Sequence, residues 1–544
     1  MSTTLLLTHL QNPNPKVDLS TLSAALAHHL TVEVPGPISL AAATVSSPFF
    51  LAYPPTNERL QALVTTFQHA AQLRHKALVK KAGVGWSLSR AIFSESVEKG
   101  LRNWAHAVIR GMQGGRGVIR LACSVGLLLG ITGLQRSGFT DGRVEDEIII
   151  SLAEVMDDFS AQTGDWEKEF RPPMNETVLS LTLILASQSL PLIPKPKLKT
   201  LPMSLLANFL ASTIDSAFHH GNFLKPIPRS TTSDLLSKLA ATILGILIDS
   251  SKTGLQDSLN MMHTFRNTAH RIERSWKGSK LATIHSDDEL SPETRDLSTG
   301  IWLLLKTLLF SIVMVADSVL GAAVYARPSQ SLGKSSPQEL AECILLTLSH
   351  IAFVVSELGG VTATATGNDP GFAELRKVFY LALDVLAFQE KDTSTLNYCE
   401  LFVKKLVADL GVHACTLRAT GAFDQAKIAY TLACIEQLVP SLGVSCLADD
   451  VWGLCVPYLV DPSHRETFES AHSVILSIFT FHAQQRCGGD LFETQHDERI
   501  TESTSTSPDA TQFVHRMIPY YAQCLIEVGG YFPAIRNYSS AEHC

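Results

Sequence analysis

The sequence carries few charges for its length and none of the signatures that announce chemistry. Lys, Arg, Asp and Glu make up 18% of its 544 residues, against 45% hydrophobic residues. Mean hydropathy is +0.14. No cysteine pair forms C-x-x-C and no tight Cys/His cluster has zinc spacing, which excludes the common small metal folds. G-x-x-x-x-G-K-[ST], H-E-x-x-H and G-x-S-x-G are all missing, so P-loop, zincin and hydrolase-elbow chemistries are not indicated. Basic residues are not in excess. The 44 Lys and Arg stand against 52 Asp and Glu, a formal charge of −8, which argues against nucleic-acid binding. Gly (33) and Pro (25) are near average use, which excludes collagen-like and largely disordered chains.

Uninterrupted apolar runs are also short. A membrane span needs about 20 mostly apolar residues. The best stretch, 301–326, is broken by Lys306 and Asp317, with ten residues between them. Residues 177–194 lack charge but carry Ser, Thr, Gln and Pro, and 121–134 is too short. All three read as helices buried in a large helical protein; a single span at 301–326 is the alternative. The first ten residues lack the basic start and cleavage pattern of a secretory signal. Nine of the ten cysteines lie in 343–544, and they read as reduced and mostly buried. A disulfide between two of the C-terminal ones is the alternative.

What the sequence does have is helical periodicity. Leu60, Leu63, Val64, Phe67, Ala71 and Leu78 form one apolar stripe. Similar stripes recur near 95–110, 146–159, 202–218, 232–249, 256–276, 301–325, 338–358, 372–388, 396–410, 422–438, 466–481 and 511–528. Ser336, Pro337 and Glu339 predict a capped helix start, and Gly359–Gly360 its stop. Ser463 and Glu466 predict a second capping box. Pro-rich or polar stretches at 191–202, 225–228, 286–296, 362–370 and 493–510 read as connectors. The pattern predicts an all-α fold, an irregular α-solenoid of HEAT/armadillo-like helix pairs without a strict repeat. The expected organisation is an N-terminal helical array at 1–285, an acidic linker at 286–300, and a C-terminal helical array at 301–544 with a disordered loop near 493–510.

Candidate sites are sparse, and no catalytic, cofactor or metal residue is expected. The Gly-rich segment 111–117 lacks the preceding strand and terminal Lys–Ser/Thr of a phosphate loop and reads as a turn between helices. Asp157 and Asp158, about 100° apart on a helix, read as a solvated face. Two basic faces are more suggestive. Arg102, His106 and Arg110 lie at i, i+4, i+8, as do Arg266, His270 and Arg274, with Arg271 and Lys277 nearby. Trp104 and Trp276 accompany them, and Glu273 dilutes the second patch. Such a face suits an acidic partner helix or anionic lipid; the alternative is ordinary solvated surface. His472 reads as an inter-helix histidine bonded to Glu469 or a nearby carbonyl.

Three segments carry a family resemblance. Residues 467–479, T-F-E-S-A-H-S-V-I-L-S-I-F, resemble the F-E-S/T-A-H-S helix of fungal peroxin-eight proteins. Residues 378–387 and the block 104–130, with Ile109–Arg110–Gly111 and then Gly126 to Gly130, are similar to the same family in consistent order. The resemblance implies a non-enzymatic scaffold in peroxisomal matrix-protein import, peripheral on the matrix face of the membrane. Its implied partners are the docking and RING-finger complexes and the receptor for matrix signals, with no nucleic acid. A general cytosolic helical-repeat adaptor is the alternative. Many family members end in a Ser-Lys-Leu-like signal, whereas this chain ends Ala541–Glu542–His543–Cys544. Import bound to a partner is one expectation that follows; a place outside the matrix is the other.

Overall fold

Apolar residues spaced three and four apart become helices in every described segment that shows the spacing. The computed structural model describes residues 1–32, 36–82, 90–134, 142–161, 176–222, 233–283, 291–325, 335–362, 372–388, 397–411, 421–490 and 508–531. Among the described residues there is no strand, and the fold is all-α. The helices group into two compact units, Met1–Ile214 with Ser230–Ser250, and Asp215–Arg229 with Ser251–Cys544.

The first unit opens with α1 (Thr3–Leu10), α2 (Leu19–Leu30), α3 (Pro37–Val45) and α4 (Pro48–Leu51). Ser2 and Asp18 cap α1 and α2 by accepting from Leu5 and Thr21 backbone N–H groups. It continues with α5 (Asn57–Ala82), α6 (Arg90–Met112), α7 (Gly117–Thr132), α8 (Gly142–Ala161), α9 (Glu176–Ser189) and α10 (Lys195–Leu198). Most of α11 (Met203–Ala217) and all of α12 (Ser233–Ser250) complete it. The hub is α7, buried nearly all round from Ile119 to Ile131, with α5, α8 and α9 packed on it. Glycine sets how close these helices come. A Cβ on Gly126 would stand 2.3 Å from the Val64 carbonyl oxygen of α5, and one on Gly111 2.2 Å from that of Ile38 in α3. Gly111 and Gly126 of the family-like block 104–130 are therefore packing residues.

The second unit contains α13 (Gly254–Lys277), α14 (Pro292–Val324), α15 (Pro337–His350), α16 (Ala352–Ser356), α17 (Ala373–Ala387) and α18 (Tyr398–Leu410). After these come α19 (Ala422–Leu438), the short α20 (Val444–Cys446) and α21 (Trp452–Cys455), then α22 (Arg465–Asp490) and α23 (Pro508–Tyr531). Helices two apart stack: α13 on α15, α15 on α17, and α17 on α19. That is the neighbour relation of an array of helix pairs, each burying the apolar face its own partner leaves open. α19 is buried without a break from Gln425 to Ile435. The expected all-α, irregular helical-repeat fold is what the chain adopts.

The expected boundaries meet the structure unevenly. Ser336 and Glu339 form the full reciprocal capping box of α15. Gly359 and Gly360 take left-handed φ values of 87° and 69°. The Ser463/Glu466 box does not form. Helix α22 starts at Arg465, with the Thr467 N–H 3.4 Å from His464 Nδ1, and Glu466 instead accepts from the Ser356 hydroxyl. The linker expected at 286–300 also differs. Ser291 caps α14 and residues 292–300 are its first turns, while 286–290 lie outside the described residues. The compact units divide near 214–230 and 250, not at 286–300. The connectors at 225–228, 363–370 and 493–507 lie outside the described residues. Helix α14 is long and apolar enough to cross a membrane by length and composition, and 56% of its most apolar window is buried inside the fold.

Candidate functional site

The two basic faces sit in different units and are built differently. On α6, Arg102 and Arg110 are exposed and His106 is half-buried. Trp104 is buried, and its indole N–H donates to the Leu30 carbonyl at 2.9 Å. On α13, Met261, Met262, Phe265, Ala269, Ile272 and Trp276 face the core. Arg266 is half-buried, and His270, Arg271, Arg274 and Lys277 are exposed. Three of the five have a role within the fold. Arg271 lies 3.4 Å from Asp215, Lys277 lies 3.6 Å from Asp424, and the His270 ring packs on His350 with centroids 4.9 Å apart. Arg266 and Arg274 make no ion pair among the described residues. Neither indole is available to a membrane, because Trp276 stacks on Phe353 and meets Trp302 edge-on.

Glu273 does not dilute the α13 face. It points the other way, into a buried charge cluster. Its Oε2 accepts from His350 Nδ1 at 2.6 Å, and its Oε1 accepts from the Lys427 ammonium. Lys427 also donates to Asp409 Oδ2 at 2.5 Å, and His350 Nδ1 lies 4.0 Å from the same atom. The four groups come from α13, α15, α18 and α19. Side-chain exposure is 8% for His350, 9% for Lys427 and 11% for Glu273, so that part of the cluster is largely out of water, while Asp409, 38% exposed, reaches solvent. Burial alone would raise the Glu273 carboxyl. The hydrogen bond from His350 and the charge and hydrogen bond of Lys427 outweigh burial and hold it below its ordinary value. Asp409 follows the same balance, with Lys427 overcoming burial. Burial and the neighbouring His350 lower His270.

One donor atom each from Glu273, His350 and Asp409 lie within 4.8 Å of one another, a spacing that suits a cation. Lys427 already supplies that cation, placed between the two carboxylates. The arrangement is therefore an ion-pair lock holding four helices in register. Sequence reasoning missed it, because a lysine flanked by Ala426, Ile428 and Ala429 gives no sign of a buried partner 154 residues away.

His472 is a second inter-helix joint. Its Nε2 stands 3.2 Å from the Leu459 carbonyl, which accepts only, so Nε2 carries the proton. Nδ1 then accepts from the Tyr521 hydroxyl at 2.9 Å, tying α22 to α23. Burial lowers its pKa, in keeping with a neutral ring. The expected carbonyl partner is found, and Glu469 pairs with Arg465 at 2.6 Å instead. Phe468 packs edge-on against His472, and Thr467 donates to the Gln425 carbonyl of α19. The family-like segment 467–479 is thus a packing and joining element. Asp157 and Asp158 are exposed, as expected. Seven described cysteines are buried and free, and burial pushes Cys343 up to about 12 and Cys399 to about 11.

Residues 392–480, which include Asp409, Lys427 and the start of α22, match the family model described as the PEX8 central TPR-like domain. Neither a curated protein nor a solved structure matches the chain. The match points to a peroxin related to peroxisomal import, and it falls on the helices that close the charge cluster. Taken with the resemblance of 104–130, 378–387 and 467–479, it supports assigning the chain to the peroxin-eight family.

Proposed function

We propose that the chain is a non-enzymatic scaffold in peroxisomal matrix-protein import. It holds the docking and RING-finger complexes near one another and acts on the receptor for matrix signals. The observation that carries this reading is the match of 392–480 to the PEX8 central TPR-like domain. The physical mechanism is bridging. Two partners held on one helical array face a raised effective concentration of each other without any chemistry. Helix pairs of HEAT, armadillo or TPR type suit this task because stacking leaves long surfaces free. The proposed station is peripheral, on the matrix face of the peroxisomal membrane.

The partner-binding faces are Arg102, His106 and Arg110 on α6, and Arg266, His270, Arg271, Arg274 and Lys277 on α13. Arg266 and Arg274 are the informative pair, because Arg271, Lys277 and His270 also serve the fold. Co-purification from crosslinked peroxisomal membranes tests the whole reading. The scaffold recovers components of both the docking and the RING-finger complexes. The double substitution Arg266→Glu with Arg274→Glu lowers recovery of at least one of them while leaving thermal unfolding unchanged. Recovery of neither complex by the unmodified chain, with diffuse cytosolic location of an internally tagged protein, favours the general adaptor instead.

A further inference from the structure

The first unit holds a cavity that neither the family match nor the basic faces account for. It has a volume of about 340 Å³ and opens between the end of α2, the start of α3, α5 and α6. Its walls include Thr31, Val32, Pro37, Arg74, Asn103 and Trp104. The volume lies at the small end of the roughly 300–1,000 Å³ typical of ligand sites.

The chemistry of the walls is one-sided. Among the described residues that line the cavity there is no carboxylate, and Arg74 carries the one formal charge. Arg74 is half-buried and makes no ion pair among the described residues. One donor is engaged, Nη1 to the Thr31 carbonyl at 3.1 Å, which anchors the guanidinium. Its Nε–H is shielded from solvent and has no acceptor. The other polar wall groups are partly committed. The Thr31 hydroxyl donates to the His28 carbonyl at 2.6 Å, and the Trp104 indole N–H donates to Leu30. Trp104 therefore offers only its ring, beside Val32 and Pro37, while Asn103 stands exposed.

A partly desolvated cation is costly, and an anion beside the guanidinium offsets that cost. A planar guanidinium matches a carboxylate through two parallel hydrogen bonds. A single cation balances a single negative charge and falls short of a phosphate dianion. The apolar wall beside it suits an aliphatic side chain. We propose that this cavity binds a carboxylate-bearing peptide, with the carboxylate on Arg74 and Asn103 and the adjoining side chain against Val32, Pro37 and Trp104. The source of the carboxylate, a chain terminus or an acidic side chain, is what the probes separate.

The test uses the full chain and ligand-observed NMR with three dipeptide probes. These are N-acetyl-Ala-Leu as the free acid, the same peptide as the carboxamide, and N-acetyl-Glu-Leu as the carboxamide. The expected result is saturable binding of the free acid, with the plain carboxamide at least about tenfold weaker, the cost of one charge-assisted hydrogen bond. Binding of the Glu carboxamide as tightly as the free acid assigns the site to acidic side chains; weaker binding assigns it to chain termini. Arg74→Gln removes the preference for the acid, and Arg74→Lys keeps part of it. Asn103→Leu, at an exposed position where folding is not at stake, weakens the acid several-fold. Equal binding of acid and carboxamide overturns the proposal. So does the absence of binding at about 10 mM acid, near the millimolar floor of specific affinity, or displacement by inorganic phosphate more effectively than by acetate.

Discussion

Both units bury a cation, but they secure it over very different distances. In the first unit Arg120 on α7 donates from Nε and Nη2 to Glu147 and from Nη1 to Glu154, both on the next helix, α8. Only 27 and 34 residues separate these partners, so closing the pair costs little chain entropy. In the second unit Lys427 reaches Glu273 across 154 residues and Asp409 across 18, while His350 completes the set from α15. That lock forms only when four helices are already in place. The local pair is a staple within a helix hairpin. The long-range cluster makes the position of the TPR-like segment depend on a charge balance held by α13 and α15.

The largest expected effect breaks the second lock. Lys427→Met leaves Glu273 buried without its ammonium partner, while Asp409, 38% exposed, regains water; the cost is about 3–5 kcal/mol, the range for orphaning a buried ion. Denaturant unfolding followed by circular dichroism measures it. Arg120→Met costs about 3 kcal/mol, the low end of the same range, because it loosens one helix hairpin and not a joint of four helices; Glu147 stays buried and Glu154, 47% exposed, regains water. If the two substitutions rank the other way, the distinction between staple and lock is lost. Gly126→Ala follows at about 1–3 kcal/mol of overpacking, because the Val64 carbonyl is backbone and cannot turn aside. Gly300 in α14, with nothing within 4 Å of its added Cβ, is the control. Alanine there is neutral or stabilising by up to about 1 kcal/mol through helix propensity.

Acid gives the mildest way to sharpen the comparison. Glu273 and Asp409 are held below their ordinary values of 4.5 and 3.8. The unfolded chain therefore binds more protons than the folded one as pH falls through that range. Stability from the cluster is full above the ordinary values and is lost as pH drops toward the lowered ones. His472 adds the same sign at higher pH, since its folded value lies below 6.5. A pH series of thermal midpoints shows decline on the acid side, and the carboxylate part of it disappears in Lys427→Met.

Much of this fold was legible because period and capping are local. The helix at 422–438 was expected with the bounds it adopts, and the box at Ser336 formed as the pattern predicts. Ser463 failed because Glu466, its would-be partner, is drawn to Ser356, 110 residues away. The cationic stripe on α13 was visible as spacing. What each cation does was not, because Asp215, His350 and Asp424 are brought to it by tertiary packing. Lys427 was invisible for the same reason. Its sequence neighbours describe a core helix, and only the assembled unit reveals the partners that make a core lysine tolerable.

The most direct test is hydrogen exchange on the full chain, comparing the unmodified protein with Lys427→Met. Faster exchange in α13, α15, α18 and α19, with residues 1–214 unchanged, is the expected result. Unchanged exchange in α18 and α19, or an equal rise throughout 1–214, contradicts the claim that this cluster locks the TPR-like segment into the second unit.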